Sequence, residues 1–308
     1  MSKFEHKTVL LTEVVTRLEP KPKGRYLDGT VGGAGHAAAI LEASSPTGQL
    51  FGCDQDGAAV QVANERLARF SGRFEIRQIN FADIGTWLGP GEVDGAVLDL
   101  GVSSHQFDVP ERGFSLRFAG PLDMRMDERA ELTAAQLVNE LPETDLANIF
   151  YRYGGETRSR AIAREVVNER RKGRITTTLQ LAELVERVMG RRGRTHPATK
   201  VFQALRIAVN DELGRLEQGL HEVWKVLRPG GRLAVITFHS AEARMVKAFG
   251  REKALDYRVE GAEDRPEFRR PKEVELRWIE RRAIQPTRAE VLENSRSRSA
   301  QLRVMEKL

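Results

Sequence analysis

Three aspartates stand where an apolar run gives way to a turn. Asp28 closes Arg25-Tyr26-Leu27-Asp28, Asp54 follows Gln49-Leu50-Phe51-Gly52-Cys53, and Asp99 lies near the end of the run from Val93 to Leu100. Beyond the first comes Gly29-Thr30-Val31-Gly32-Gly33-Ala34-Gly35-His36, then a small apolar stretch from Ala37 to Ala43. Glycines between a strand and a helix let backbone N–H groups approach a ligand closely, because no Cβ intervenes. Gly33-x-Gly35-x-x-Ala38 fits the fingerprint of dinucleotide sites. Asp54, 19 residues after Gly35, stands where a carboxylate accepts hydrogen bonds from a ribose diol. Adenosine is common to NAD and S-adenosylmethionine, so these residues admit both.

In an open parallel sheet, ligands bind outside the carboxyl ends of the strands, near the point where strand order reverses. Asp28, Asp54 and Asp99 are expected to reach that one edge. Three acids around a glycine-rich turn suit a cationic cofactor. S-adenosylmethionine, a sulfonium with an ammonium group, fits this better than an anionic pyrophosphate does.

These residues need a scaffold, and the chain supplies one in alternation. Apolar runs at 25–28, 49–54, 74–79 and 93–100 read as strands, separated by helical stretches from Ala37 to Ala43 and from Ala58 to Phe70. Strands alternating with helices predict a parallel sheet covered on both faces. From about Leu132 to Lys200 the periodicity is helical throughout. Leu146, Ile149, Phe150 and Tyr153 recur at helical spacing, as do Leu181, Leu184, Val185 and Val188. Thr177 and Gln180 form a capping-box pair ahead of the latter. Alternation then returns: a stripe from Leu213 to Leu227 is stopped by Pro229-Gly230-Gly231, Arg232 to Phe238 reads as a strand, and Gln301 to Met305 offers another. The expectation is an α/β domain over 1–106 and 211–308, with a helical domain inserted at 107–210. Residues 251–290, highly charged with Pro and Gly, resist assignment.

The motif series resembles the RsmH (MraW) family, bacterial methyltransferases that act on N4 of a cytidine in 16S ribosomal RNA. It runs from His6-Lys7-Thr8-Val9-Leu10-Leu11 and Asp28 to His36 through Asp99-Leu100-Gly101-Val102-Ser103-Ser104-His105-Gln106. Arg112-Gly113-Phe114-Ser115, Pro121 to Asp127, His196-Pro197-Ala198-Thr199 and Phe202 to Ile207 continue it. Pro229 to Leu233, Phe238-His239-Ser240 and Arg296 to Ala300 complete it. The resemblance implies a class I, Rossmann-like fold dependent on S-adenosylmethionine, with an inserted all-helical domain. It also implies cofactor contacts from Ala34, Gly35, His36, Asp54 on the ribose, Phe81 near the adenine, Asp99 and Gln106.

Transfer to an exocyclic amine needs no covalent intermediate, only alignment and acceptors for the amine hydrogens. Asp99 is the candidate acceptor or the residue that orients it, with Ser103, Ser104 and the carbonyls of Leu100 to Ser103 able to share the role. Methylation at cytosine C5 would instead require a cysteine nucleophile. The single cysteine, Cys53, sits inside a strand, and packing explains it better than catalysis. One cysteine also excludes an internal disulfide and a multi-cysteine zinc site, and the six histidines lack ligand-like pairing, so no metal is expected.

Net charge over the 308 residues is +5, yet Arg158 to Lys200 alone holds 12 Lys and Arg against 4 Asp and Glu. That concentration reads as a polyanion-binding face. Arg170, Arg171, Lys172, Arg191, Arg192 and Arg194, on two basic turns, are the candidate phosphate contacts. The expected partners are 16S ribosomal RNA and the small ribosomal subunit, with the protein a monomer or homodimer in the cytoplasm and no membrane association. Two rivals remain at this point. An NAD-dependent oxidoreductase would use the glycine fingerprint but leaves the basic segment unexplained. A non-catalytic ribosome-assembly factor would keep the fold without the strand-end acids having a task.

Overall fold

The computed structural model describes residues 8–116, 118–191, 196–260 and 263–308. His6, Lys7, Arg192 and Arg194 lie outside the described residues, as do the side chains of Ser104 and His105. The chain divides into two compact units, Met1–Gly101 with Arg215–Leu308, and Val102–Gly214.

The first unit opens with α1 (Leu11–Leu18), β1 (Arg25–Asp28), α2 (Gly35–Ala43), β2 (Gln49–Cys53), α3 (Gly57–Leu67), β3 (Phe74–Arg77) and β4 (Val93–Asp99). The second holds α4 (Ser104–Asp108), α5 (Ala134–Glu140), α6 (Glu143–Arg152), α7 (Ser159–Arg170), α8 (Thr178–Met189) and α9 (Thr199–Val209). The chain returns through α10 (Glu212–Val226) to β5 (Leu227–Thr237), α11 (Ser240–Ala254), β6 (Tyr257–Val259), β7 (Arg269–Pro271), β8 (Leu276–Trp278), α12 (Arg288–Glu293) and β9 (Gln301–Lys307).

The main sheet has the order β3-β2-β1-β4-β5-β9-β8. β1 to β5 pair in parallel and β9 runs antiparallel between β5 and β8. Strand order reverses between β1 and β4, which makes the fold Rossmann-like and places the ligand crevice at their carboxyl ends. Both faces are covered, so β4 is buried almost throughout, as a near-continuous apolar run requires. Val14, Ile40, Leu41 and Val304 pack on one face; Leu98, Leu220, Val246 and Met305 pack on the other. Among the described residues no helix is long and apolar enough to cross a membrane.

The Pro-Gly-Gly turn behaves differently from expectation. α10 ends at Val226, and sheet pairing resumes at once, with Leu227 opposite Val93. The register then shifts so that Arg232 faces Gly95, and Arg228 to Gly231 bulge out of the ladder. Pro229 has no N–H to donate, and Gly230 takes φ +77°, so a bulge is where both fit. The segment 251–290 holds the end of α11, the two-stranded β6–β7 ribbon, and the edge strand β8.

The second unit packs Phe150, Leu181, Val185, Val201 and Leu205 into its own core. The Thr177–Gln180 capping box is formed at the start of α8, and Thr133–Gln136 forms a second one on α5.

Candidate functional site

The loop after β1 is fixed from below. Gly29 N–H donates to Val97 O at 3.0 Å and Val31 N–H to Cys53 O at 2.9 Å, so the loop is stitched to both neighbouring strands. Ala34, fully buried at φ 57°, turns the chain in the left-handed region into α2. Gly32 takes φ +45°, and a Cβ there would stand at ordinary contact distance, 3.8 Å from Thr30 O. Gly35 is tighter: a Cβ there would meet the Thr8 hydroxyl at 1.7 Å. The missing side chain at Gly35 therefore makes room for Thr8, whereas the sequence suggested room for a ligand.

Asp54 stands just past β2 and accepts from Gly32 N–H at 2.9 Å through Oδ2 and from Asp56 N–H at 3.0 Å through Oδ1. Gln55 N–H is a third backbone donor to this carboxylate, so of its four lone pairs one remains for a diol hydroxyl. Burial pushes the Asp54 carboxyl up to about 6, against the pull of those backbone donors. Asp28 departs from the expected edge group. It is 1% exposed and accepts from Thr30 N–H, and burial pushes it up to about 7. It lies sealed beneath the loop and shapes the site's charge from within.

Asp99, at the end of β4, keeps 23% of its side chain exposed. Its N–H donates to Thr30 Oγ1 at 2.6 Å, and Oδ2 lies 3.8 Å from His36 Nδ1. Oδ1 is buried and receives no hydrogen bond among the described residues. A buried acceptor without a donor is costly and rare. Burial, then the charges of Asp28 and Glu242, hold the Asp99 carboxyl well above the ordinary carboxylate range. His36 Nε2 lies 3.0 Å from Val9 O; a carbonyl only accepts, so that nitrogen carries the proton.

Phe81 opens the short 3-10 turn Phe81–Thr86 after β3. Its ring lies against Gly219 of α10, where a Cβ would stand 2.2 Å from it. Cys53 is buried, its thiol pushed well up by burial and directed at Gly29 O, which removes it from nucleophilic chemistry.

In the second unit, Ser103 and Gln106 engage each other. Gln106 Oε1 accepts from Ser103 N–H at 3.0 Å, and Ser103 Oγ accepts from Gln106 N–H at 3.3 Å. Both side chains serve the first turn of α4. Among the basic residues, Arg170 donates to the carbonyls of Val138 and Leu141 at 2.8 Å each, closing the end of α5. Its guanidinium is thus committed to a helix end, as sequence could not show. Lys172 pairs with Glu169 at 3.2 Å and Arg191 with Glu186 at 3.7 Å, both at the surface, and Arg171 is exposed.

Two contributors went unseen in the sequence. Thr30 tethers the Asp99 backbone, and the only signal was its place one residue past a strand-end Asp-Gly. Glu242, 2% exposed, accepts from Phe238 and His239 N–H at the start of α11 and adds to the negative field on Asp99. The His239-x-x-Glu242 spacing was a capping signal not read as one.

Residues 3–308 match the MraW methylase family. The chain belongs to that family. Ribosomal RNA small subunit methyltransferase H of Geobacter sulfurreducens is 49% identical over 320 residues, covering 99% of each chain. The protein of the same name from Symbiobacterium thermophilum is 48% identical over 311 residues, covering 99% of this chain and 97% of its own. Among solved structures, an rRNA methylase from Streptococcus thermophilus is 10% identical over 98% of each chain, at a TM-score of 0.43. The fold assignment of this MraW methylase rests on its own strand order. The resemblance read from the motif series is borne out, and the oxidoreductase alternative falls with it.

Proposed function

We propose that this MraW methylase transfers the methyl group of S-adenosylmethionine to N4 of a cytidine in 16S ribosomal RNA, with its helical unit holding the RNA. The observation that carries the reading is Asp99 Oδ1, a buried acceptor without a donor at the switch point of the sheet. Names shared by relatives nearly half identical over their full length support the RNA substrate.

The residues present fit the cofactor. Asp54 keeps a lone pair for a ribose hydroxyl, and Phe81 offers an apolar ring beside the loop at Gly29. Three carboxyls whose proton affinity burial raises suit a cationic ligand, which would favour their charged form. When bound, the cofactor supplies an electrophilic methyl group on a sulfonium. Asp99 Oδ1 accepts a hydrogen of the cytosine amine, which turns the amine lone pair toward that methyl group. A carboxyl with a raised proton affinity is also suited to take the proton the amine must lose. Ser103 is less suited, because its hydroxyl serves α4. Arg171, Lys172 and Arg191, exposed on basic turns, supply phosphate contacts, joined by Arg192 and Arg194 beyond the described residues.

Small ribosomal subunits incubated with the protein and methyl-labelled S-adenosylmethionine, then digested to nucleosides, test this directly. The expected product is labelled N4-methylcytidine, lost in Asp99→Ala. Label at C5 or on ribose would overturn the acceptor. No label on subunits, assembly intermediates or bare RNA would favour the non-catalytic assembly factor.

A further inference from the structure

Away from the cofactor loop, the first unit has a hollow of about 240 Å³ between α11 and the β8–β9 edge. Lys247 and Arg251 line it from α11, Trp278 from β8, Arg281 from the segment after β8, and Arg303 from β9. Its construction is specific. Gly250 lets the Trp278 ring lie against the helix, since a Cβ there would stand 2.2 Å from the ring. Arg303 faces that ring at 5.7 Å, and its buried Nε makes no hydrogen bond among the described residues.

Four cations converge here from three parts of the chain, and no acid forms an ion pair with any of them among the described residues. Asp264 feels Arg251, but its carboxylate is held by Arg269 at 2.7 Å and by the Tyr257 hydroxyl. Several other cations of this unit are paired: Lys253 with Glu275, Arg277 with Glu306, Arg232 with Glu19 and Glu306. A position in the last helical turn, where cations complement the macrodipole, accounts for Arg251 alone. Lys247 and Arg251, one turn apart on α11, repel each other, and an anion between them would relieve it.

We infer that this hollow binds a backbone phosphate of the RNA substrate, at a second contact remote from the reacting base. The inference rests on the proposed RNA methylation. Arginine forks match phosphate oxygens in pairs, which suits Arg251 and Arg281, both exposed at the rim. Arg251 lies 11 residues into α11 from Ser240, roughly 16 Å from the carboxyl end of β5 at 1.5 Å per residue. The phosphate therefore belongs to a nucleotide other than the one methylated.

Arg251→Gln/Arg281→Gln, changing two exposed side chains, is compared with wild type and with Arg69→Gln/Lys225→Gln, which removes equal charge from surface pairs in the same unit. The probe is small-subunit ribosomal RNA, in methyl transfer and in filter binding from low to high salt. The hollow variant should raise KM for RNA about tenfold, leave kcat within about twofold, and lower the salt slope by about one per lost contact. Wild-type KM and slope in that variant, with wild-type methylation intact, overturn the hollow and leave the proposed function standing. An equal effect in the control pair also overturns it, as unspecific charge. Stabilisation by inorganic phosphate that the variant loses, with RNA affinity unchanged, assigns the hollow to a free anion and overturns the RNA. Wild-type protein that neither binds nor methylates the RNA overturns the proposed function and this inference together.

Discussion

At the scale of single residues, the site is defined by acids whose proton affinity burial raises. Asp54 is pushed up to about 6 and Asp28 to about 7, both by burial and both above the free carboxylate's 3.8. With the folded value above the unfolded one, their contribution to stability is fully present below about pH 4. It is lost as pH rises through 6 to 7, when the buried groups must ionise. A cationic ligand reverses the balance, because it favours the ionised form. Thermal denaturation with and without S-adenosylmethionine should therefore show a larger ligand-induced rise in Tm at pH 8 than at pH 5.5. An affinity gain of about tenfold over that interval corresponds to ~1.4 kcal/mol. S-adenosylhomocysteine, which lacks the sulfonium charge, should gain less. Equal shifts at both pH values for the charged ligand would show that these carboxyls do not sense it.

At the scale of elements, the loop between β1 and α2 is held by a contact no local pattern reveals. Thr8, 27 residues before Gly35 in sequence, occupies the space a side chain there would need. Gly35→Ala should destabilise the fold by about 1–3 kcal/mol, the usual cost of overpacking a filled site. Thr8→Gly in the same chain should recover part of it; chemical denaturation of the single and double variants reads both. No recovery would place the strain elsewhere in the turn. The same locality separates what was legible from what was not. The parallel strands, the Thr177–Gln180 cap and β9 were visible, because each is announced by residues within a few positions. The bulge at 228–231 was not, since its neighbour is β4, and β8, Leu276-Arg277-Trp278, alternates over too few residues to be read. Asp99 and Asp54 stood out as strand-end acids, but the sealing of Asp28 and the capture of Arg170 by the end of α5 are tertiary events.

At the scale of the whole molecule, the site aspartates and the most basic segment fall in different units. Asp28, Asp54 and Asp99 sit in the unit that holds the parallel sheet, while Arg158 to Lys200, with 12 Lys and Arg against 4 Asp and Glu, belongs to the helical unit. Each unit has its own apolar core, so a surface change in one need not disturb packing in the other. Two ligands of opposite sign, a cationic cofactor and a polyanion, would then be read by separate sets of residues. Arg171→Gln/Arg191→Gln should weaken RNA binding about tenfold near 0.1 M salt and flatten its salt dependence, with cofactor affinity unchanged. Asp54→Asn should do the reverse: it keeps an oxygen for Gly32 N–H but weakens the ribose contact, leaving RNA affinity where it was. Calorimetry for the cofactor and filter binding for the RNA measure all four quantities. If either change moves both affinities, cofactor and RNA binding are coupled, and the residues that bind one ligand also set the affinity for the other.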